Sequence, residues 1–180
     1  MNNINTFPEI NTENLILRKI EESDSDVILF LRSDKTINKF IHRPENRKTK
    51  NISDAIKHIK KLNIETENNK SFSWGITLKS DPKIIGTICL WNFSDNYKIA
   101  EVGYDLNPNF QGKGIMSEAL NGVVNFGFNE LNLDKIEAFT HIQNKNSKKL
   151  LEKNRFNFVT DRKDNDNLSN IIFEIIKSSR

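Results

Sequence analysis

The apolar residues in the middle of the chain predict three strands in succession. Phe72, Trp74 and Ile76 alternate with smaller or polar residues, and similar runs of apolar residues occupy positions 84–91 and 98–106. Period-two alternation is typical of a half-buried strand. Turn-forming residues separate the runs, so we expect neighbouring strands to form antiparallel hairpins.

A glycine turn and a helix follow the third strand. Pro108 ends the strand because its nitrogen cannot donate to a ladder, and Gly112 and Gly114 then flank Lys113. Beyond them the apolar residues recur at helical spacing: Ile115, Met116, Ala119, Leu120, Val123, Val124, Phe128 and Leu131. The predicted order is strand, glycine turn, helix.

The amino-terminal part of the chain predicts one strand and two helices. Residues 13–20 form the strand. The first helix begins at Ser23 or Asp24 and reaches Phe40 at most. A charged loop follows, and the second helix begins at about residue 51 with an apolar stripe. We expect these helices to cover one face and one edge of the sheet.

The carboxy-terminal part predicts a parallel strand, a helix and a last hairpin. Residues 135–141 return after the glycine-turn helix through a short link, which is typical of a parallel crossover. The next helix begins at Asn144 or Ser147 and ends near Arg155, where a left-handed conformation would cost ~1 kcal/mol without glycine. Two strands follow, at residues 156–162 and 167–176.

Together these elements predict one α/β (α+β) domain. It spans residues 1–180 with a core over about 13–177, and has a mixed, mostly antiparallel sheet of about seven strands with about four helices. A chain of this length buries roughly 70% of its unfolded surface.

Composition excludes several classes of protein. The charge of +3 comes from 27 basic and 24 acidic residues that are mostly intermixed, which does not favour a nucleic-acid-binding protein. The single cysteine, Cys89, cannot form an intramolecular disulfide and is expected to be a buried, inert thiol. We expect no membrane span and no signal peptide, and hence a cytoplasmic protein. A basic cluster at residues 42–50 is either a solvated loop or a docking site for an acidic group.

The glycine turn is a candidate phosphate site. Glycines let the backbone approach a ligand closely, and the N–H groups of the first helical turn favour an anion. The loop is not a Walker A sequence, and Ser117 stands where a dinucleotide fingerprint has its third glycine. An ordinary strand-to-helix turn, or a site for another diphosphate, stays open at this point.

The loop and its neighbours resemble a known family. The sequence QGKGIM, residues 111–116, is similar to the pyrophosphate loop of the GNAT superfamily of acetyl-CoA-dependent N-acetyltransferases, with Met116 where the consensus has glycine or alanine. The preceding AEVGY, the following SEAL and the later NKNSKKLLEK resemble the branch that acetylates ribosomal-protein N-termini (RimJ- and RimL-like). The resemblance extends from Leu15 to about Ile176.

The resemblance implies how acetyl-CoA is held. The strand before the loop would splay from its parallel neighbour and accept the pantetheine arm on the backbone of Tyr104, Asp105 and Leu106, and Gly103 would permit close approach or mark a bulge. The remaining cofactor contacts would come from Gln111, Gly112, Lys113, Gly114, Ile115, Met116, Asn144 and Ser147. No metal and no further cofactor are expected.

The implied reaction requires one group to take a proton from the amine and another to assist the leaving thiolate. Glu101 is the first candidate for the base, directly or through water, and its alternative role is to position the amine or simply face solvent. His141 could also move a proton, although a structural role is expected. Ser147 is the candidate acid; Asn144 and Ser147 could equally be helix caps. The tyrosine acid of other branches has no counterpart, because Leu150 and Leu151 occupy that helical turn.

The acceptor is not determined by the sequence. The resemblance favours a protein N-terminal α-amine, as on a ribosomal protein, over a polyamine, an aminoglycoside or an amino acid, and acidic lining would favour the polycations. A non-catalytic acetyl-CoA-binding module is a further alternative. The cleft is expected between the first two helices and the last hairpin, with candidate lining by Phe40, Trp74, Trp91 and Phe93. We expect a monomer or homodimer.

Overall fold

The computed structural model describes residues 6–41 and 43–178. Within this part of the chain there are eight strands and four α-helices. The strands are β1 (Ile10–Asn11), β2 (Leu15–Arg18), β3 (Phe72–Leu78), β4 (Asp81–Trp91), β5 (Ile99–Leu106), β6 (Lys135–His141), β7 (Asn157–Val159) and β8 (Asn170–Ile176). The helices are α1 (Ser25–Ser33), α2 (Ile52–Glu67), α3 (Ile115–Asn129) and α4 (Lys145–Lys153).

All described strands belong to one sheet, in the order β1-β2-β3-β4-β5-β6-β8-β7. Every neighbouring pair is antiparallel except β5 and β6, which are parallel. The predicted mixed, mostly antiparallel α/β fold is confirmed, as are the two consecutive hairpins before the glycine turn and the parallel crossover through α3.

Helices cover both faces of the sheet. On one face, α3 packs its buried residues against those of the central strands, with Phe72, Trp74 and Phe126 in mutual ring contact. On the other face, α1 and α2 bury a smaller cluster that includes Ile28, Ile59 and Ile84. The sheet therefore has a fully apolar face under α3 and a face under α1 and α2 that is only partly covered by apolar residues.

Side-chain hydrogen bonds hold the start of the crossover helix α3 on two sides. The Glu118 carboxylate accepts hydrogen bonds from the Thr12 hydroxyl at 2.6 Å and the Asn14 N–H at 2.7 Å, so that the β1–β2 connection holds the first turn of α3. Ser117 donates to Asn154 Oδ1 at 2.7 Å, and Asn154 in turn donates to the Leu150 carbonyl. These bonds fix the start of α3 against the end of α4.

Several predicted boundaries were wrong. Strand β1 was missed because two residues are too short to produce a pattern, and with it the sheet has eight strands rather than seven. Helix α1 ends at Ser33 and only a 3-10 turn, Ile37–Phe40, occupies the rest of the predicted segment. Strand β4 begins at Asp81, inside the predicted turn, because its pairing with β3 shifts register between Ile76 and Leu78.

Arg155 adopts the left-handed backbone conformation that the sequence analysis considered for it. Its φ angle is 65°, in the left-handed region, immediately after the C-cap Asn154. A side chain with a Cβ is disfavoured there because the Cβ approaches the following carbonyl oxygen. The residue therefore stores conformational strain in a turn that leads from α4 to β7.

We expect Arg155→Gly to stabilise the protein by about 1 kcal/mol, because glycine adopts this conformation without strain. The corresponding rise in Tm, measured by calorimetry, is roughly 2–4 °C for a chain of this size. Arg155→Ala is the matched control: it removes the long side chain but keeps the Cβ, so its Tm should not rise. Equal stabilisation by both variants would contradict the strain argument.

Candidate active site

The sheet opens between β5 and β6. Their parallel pairing covers only three positions, the last of which joins Glu101 to Glu137. β5 nevertheless continues to Leu106, paired with β4, and β6 continues to His141, paired with β8. Beyond Glu101 the facing edges of the two strands are therefore free to bind another extended group, as a sheet edge binds a peptide.

The glycine turn lies at the open end of this gap. Gly112 has a φ of 75° and Gly114 a φ of 81°, and Gly114 is the N-cap of α3. The first bond of the helix runs from the Glu118 N–H to the Gly114 carbonyl at 3.0 Å, so the preceding N–H groups have no acceptor within the helix. Both glycines have open space where a Cβ would lie, which leaves room for an anion beside the backbone.

The other predicted loop residues occupy distinct places. Met116 and Ile115 point into the core beneath the loop, so the departure of Met116 from the family consensus is accommodated by packing. The Gln111 side-chain amide donates to the Leu106 carbonyl at 3.3 Å. The Lys113 ammonium lies 5.4 Å from the centre of the Phe110 ring.

Glu101 lies at the fork, where the pairing of β5 and β6 ends. Its Oε1 accepts a hydrogen bond from the Asn92 amide at 2.5 Å. Burial raises the pKa of this carboxyl above its usual range, the Asn92 hydrogen bond opposes the shift, and the nearby charge of Glu137 adds to it. Glu137 is itself held by ion pairs with Lys135 and Arg162, at 2.8 and 2.6 Å.

Tyr104 and Ser147 join the strand to α4. The Tyr104 hydroxyl and the Ser147 hydroxyl are 2.9 Å apart, and either can be the donor. Burial raises the pKa of Tyr104 to about 12, with the Ser147 hydrogen bond acting in the opposite direction. The predicted cap is present as well: the Ser147 N–H donates to Asn144 Oδ1 at 3.1 Å.

The Tyr104 side chain lies at the candidate site, and the sequence analysis did not place it there. The prediction assigned only its backbone to the site and found no tyrosine counterpart on α4, where Leu151 is buried and Leu150 partly so. The tyrosine that lies beside Ser147 is Tyr104, which belongs to β5 and not to α4. Alternation along the strand was the available signal, since Val102, Tyr104 and Leu106 share the face toward α3 and α4.

The opposite face of β5 forms the floor of a cleft beneath α1 and α2. Pairing with β4 places Glu101, Gly103 and Asp105 beside Trp91, Cys89 and Thr87. This pairing is unbroken, so Gly103 does not mark a bulge. A Cβ at Gly103 would lie 3.3 Å from the Cys89 sulfur, a tight contact that glycine avoids.

Cys89 has the properties of an inert thiol. Burial raises its pKa to about 12, and the neighbouring carboxyl groups Asp105 and Glu101 add to the shift. The thiolate, which is the nucleophilic form, is therefore scarcely populated near neutral pH.

Two of the four aromatic residues that were predicted to line the cleft do so. Phe40 stacks on His141 with ring centres 5.1 Å apart, and Trp91 is 44% exposed; both line the cleft. Trp74 is fully buried, with its indole N–H donated to the Pro8 carbonyl, and Phe93 packs edge-on against Phe72. His141 Nδ1 accepts a hydrogen bond from the Gln143 N–H, the structural role that was expected for it.

Basic residues line the cleft on the α1 and α2 side. His42 of the predicted basic cluster lies outside the described residues, but Arg43 reaches toward Asp105. Burial lowers the pKa of His58 to about 3, and the positive charges of Arg32, Arg43 and Lys61 add to the shift. The imidazole is thus neutral at physiological pH.

The gap and the cleft form one continuous cavity of about 2390 Å³. That is larger than the ~300–1,000 Å³ of a typical small-molecule site, and it has room for two substrates.

Among residues 6–41 and 43–178 there is no group of three or more metal-binding side chains. No helix in the described ranges has the length and apolar character needed to cross a bilayer.

Comparisons with known proteins identify the family. The model of the "Acetyltransferase (GNAT) domain" matches residues 14–157, and the chain therefore belongs to the GNAT acetyltransferases. It is 38% identical over 141 residues to the "Uncharacterized N-acetyltransferase p20" of Bacillus licheniformis, a match that covers 78% of this chain and 77% of p20. It is an acetyl-CoA-dependent N-acetyltransferase.

Solved structures share the fold. The ribosomal-protein-S5-alanine acetyltransferase from Vibrio fischeri superimposes with a TM-score of 0.79 at 24% identity, covering 94% of this chain and 96% of that one. RimL, described as a ribosomal L7/L12 α-N-protein acetyltransferase in complex with coenzyme A, gives a TM-score of 0.80 at 18% identity and covers 94% and 98%.

We expect Cys89→Ala to retain at least half of the wild-type acetyltransferase activity, because a thiol with so high a pKa does not act as a nucleophile. Initial rates of thiol release from acetyl-CoA, with Tm as the folding control, provide the measurement. Loss of activity in a folded variant would indicate a covalent acetyl-enzyme instead.

Proposed function

We propose that this N-acetyltransferase acetylates a protein N-terminal α-amine, of the kind found on ribosomal proteins, by direct attack in a ternary complex. The observation that carries the proposal is the fork between β5 and β6. A strand edge, a glycine turn, a partly buried carboxyl group and a pair of hydroxyl groups all converge on it. The named activities of the V. fischeri enzyme and RimL support the choice of acceptor.

The residues around the fork fit acetyl-CoA. The N–H groups of residues 112–116 would hold the pyrophosphate, with Gln111 and Lys113 beside it. The backbone of residues 104–106 would pair with the pantetheine arm, and Asn144 and Ser147 would contact it from α4. Acetyl-CoA supplies the acetyl thioester, and no metal is required.

Glu101 is proposed as the base. An α-amine with a pKa of about 8 arrives largely protonated, and a carboxylate at the fork can accept the ammonium proton directly or through water. A raised pKa improves the carboxylate as a base. The free amine then forms the new N–C bond as the C–S bond breaks; the nitrogen loses its second proton, the sulfur gains one by way of Ser147, and the products are the amide and coenzyme A.

Ser147 is proposed to donate a proton to the leaving thiolate. The Tyr104 hydroxyl, at hydrogen-bond distance from Ser147, can donate to the serine oxygen in turn and so stabilise the charge that develops there. Because burial holds the Tyr104 pKa high, the phenol stays protonated and available as a donor over the whole physiological range.

The acceptor is tested first with a panel. Thiol release from acetyl-CoA is measured with N-terminal peptides of ribosomal proteins, spermidine, an aminoglycoside and single amino acids, and acetyl-CoA binding is measured by calorimetry. Turnover restricted to peptides supports the proposal, and turnover restricted to a small amine contradicts it. Binding without turnover on any acceptor would favour a non-catalytic module. The cytoplasmic location and the monomeric or homodimeric state stay predictions.

We expect Glu101→Gln to lower kcat by about 10²-fold or more, with a smaller change in acetyl-CoA affinity. In the wild type, kcat/KM should rise with pH through an apparent pKa above 4.5 as Glu101 ionises, and the variant should lack this acidic limb. Glutamine keeps an acceptor for Asn92 and removes a charge that burial disfavours, so its Tm at pH 7 should not fall. An unchanged kcat would remove Glu101 from the mechanism.

We expect Ser147→Ala and Tyr104→Phe each to lower kcat, by about 10²-fold for the serine at the lower end of general-acid effects. If the two hydroxyls act as one unit, the double variant should be no slower than Ser147→Ala alone. Acetyl-CoA affinity and Tm are the controls. Strictly multiplicative effects on kcat would show that the Tyr104 hydroxyl acts independently of Ser147.

A further inference from the structure

Positive charge exceeds negative charge in the part of the cleft beneath α1 and α2. Arg43 and Arg32 both approach one carboxyl group, Asp105, which lies on the cleft face of β5. The Asp105 carboxylate accepts a hydrogen bond from the Thr87 hydroxyl at 2.8 Å. Burial raises the pKa of Asp105, and the Thr87 bond and the two guanidinium groups oppose that shift.

Arg43 is incompletely paired. Its Nη2 is 4.0 Å from Asp105 Oδ2, an ion pair without a hydrogen bond, and only 15% of its side chain is exposed. Its Nη1 is shielded from solvent and has no hydrogen-bond partner among the described residues. A buried donor without a partner is unfavourable, more so when it is charged, and an acceptor supplied by a bound ligand would account for it.

Arg32 does not have the same spare capacity. Its Nε donates to the Thr49 hydroxyl at 2.7 Å and its Nη2 to the Arg47 carbonyl at 2.8 Å. These bonds hold Arg32 in a structural position, from which its charge adds to that of Arg43. Of these two arginines, Arg43 is therefore the one with a buried donor that has no partner among the described residues, and Arg32 is a fixed second charge.

The position of this donor limits the size of its ligand. Asp105 lies four residues beyond Glu101 on the same face of β5, which is ~13 Å at about 3.3 Å per residue. An acceptor with its amine at Glu101 and an anionic group at Arg43 must span a comparable distance. A single α-amino acid is too short, and a polyamine or aminoglycoside would bring positive charge toward two guanidinium groups. A peptide of a few residues, at up to ~3.6 Å each, has the required length.

We infer that the acceptor is an acidic peptide, whose amine is placed at Glu101 and whose carboxylate is bound by Arg43. This inference rests on the proposed N-acetyltransferase reaction at the same site and specifies its substrate. The carboxylate is either an acidic side chain a few residues from the N-terminus or the terminal carboxylate of a short peptide. Guanidinium and carboxylate groups form charge-assisted, often bidentate hydrogen bonds.

The test measures peptide binding to the enzyme–coenzyme A complex, which lacks an acetyl group and does not react. Three tetrapeptides differ only in their carboxylates: Ser-Ala-Asp-Ala amide, Ser-Ala-Asn-Ala amide and Ser-Ala-Asn-Ala with a free terminus. Calorimetry should give at least about tenfold tighter binding for one of the acidic peptides than for the neutral one, the gain expected of a charge-assisted bond. The acidic peptide that binds more tightly identifies the source of the carboxylate.

Variants assign the preference to Arg43. Arg43→Gln should abolish the preference for acidic peptides. Arg43→Lys is the second variant in case Arg43→Gln does not fold; it keeps a positive charge beside Asp105 and should reduce the preference. Arg47→Gln, an exposed arginine on the same loop, is the matched control and should leave it intact. Equal binding of all three peptides to the wild type, an unchanged preference in Arg43→Gln, or a loss of coenzyme A affinity in place of peptide affinity would each overturn the inference.

Turnover of the same peptides with acetyl-CoA separates the two proposals. Turnover without an acidic preference in binding contradicts the role of Arg43 and leaves the acetyltransferase proposal intact. An Arg43-dependent preference in binding without turnover supports the anionic site and contradicts the proposed reaction on peptides.

Discussion

The early end of the pairing between β5 and β6 is the constraint on which the site depends. Three paired positions are enough to fix the parallel register, and β4 and β8 hold the two strands in place after they separate. The free edges lie within the sheet rather than at its border, so they are presented to a ligand in a rigid frame. The glycine turn at the open end and Glu101 at the closed end are then set by the length of β5.

Alternation along β5 divides the chemistry between two faces. Tyr104 points toward α4 and pairs with Ser147, whereas Glu101 and Asp105 face the cleft under α1 and α2. One short strand thus supplies the proposed base, the support for the leaving group and the partner of Arg43. Keeping these polar groups partly desolvated is unfavourable for folding. Binding and catalysis account for these polar groups better than stability does.

The sequence alone determined most of the architecture. Period-two alternation, the helical spacing after Gly114 and the short link into β6 were sufficient to predict the sheet, the crossover and the glycine turn, because these signals are local. The left-handed conformation of Arg155 was anticipated only as a possibility, because a helix commonly but not always ends in such a residue. The resemblance in residues 111–116 then identified the family. β1 and the start of β4 were missed because a two-residue strand and a register shift leave no periodic pattern.

The tertiary structure decided which side chains meet. Tyr104 and Ser147 are 43 residues apart and Arg43 and Asp105 are 62 apart, and no local pattern links residues at such separations. The aromatic residues were sorted in the same way: Trp74 and Trp91 both lie in predicted strands, but α3 covers the first and the second lies at the open rim. Local propensity sets the element and the face of each residue, while partners depend on the packing of distant segments. The sequence therefore predicted the glycine turn to which we assign the pyrophosphate, because one loop forms it, whereas the residues proposed to meet the acceptor came together only when the helices and strands were assembled.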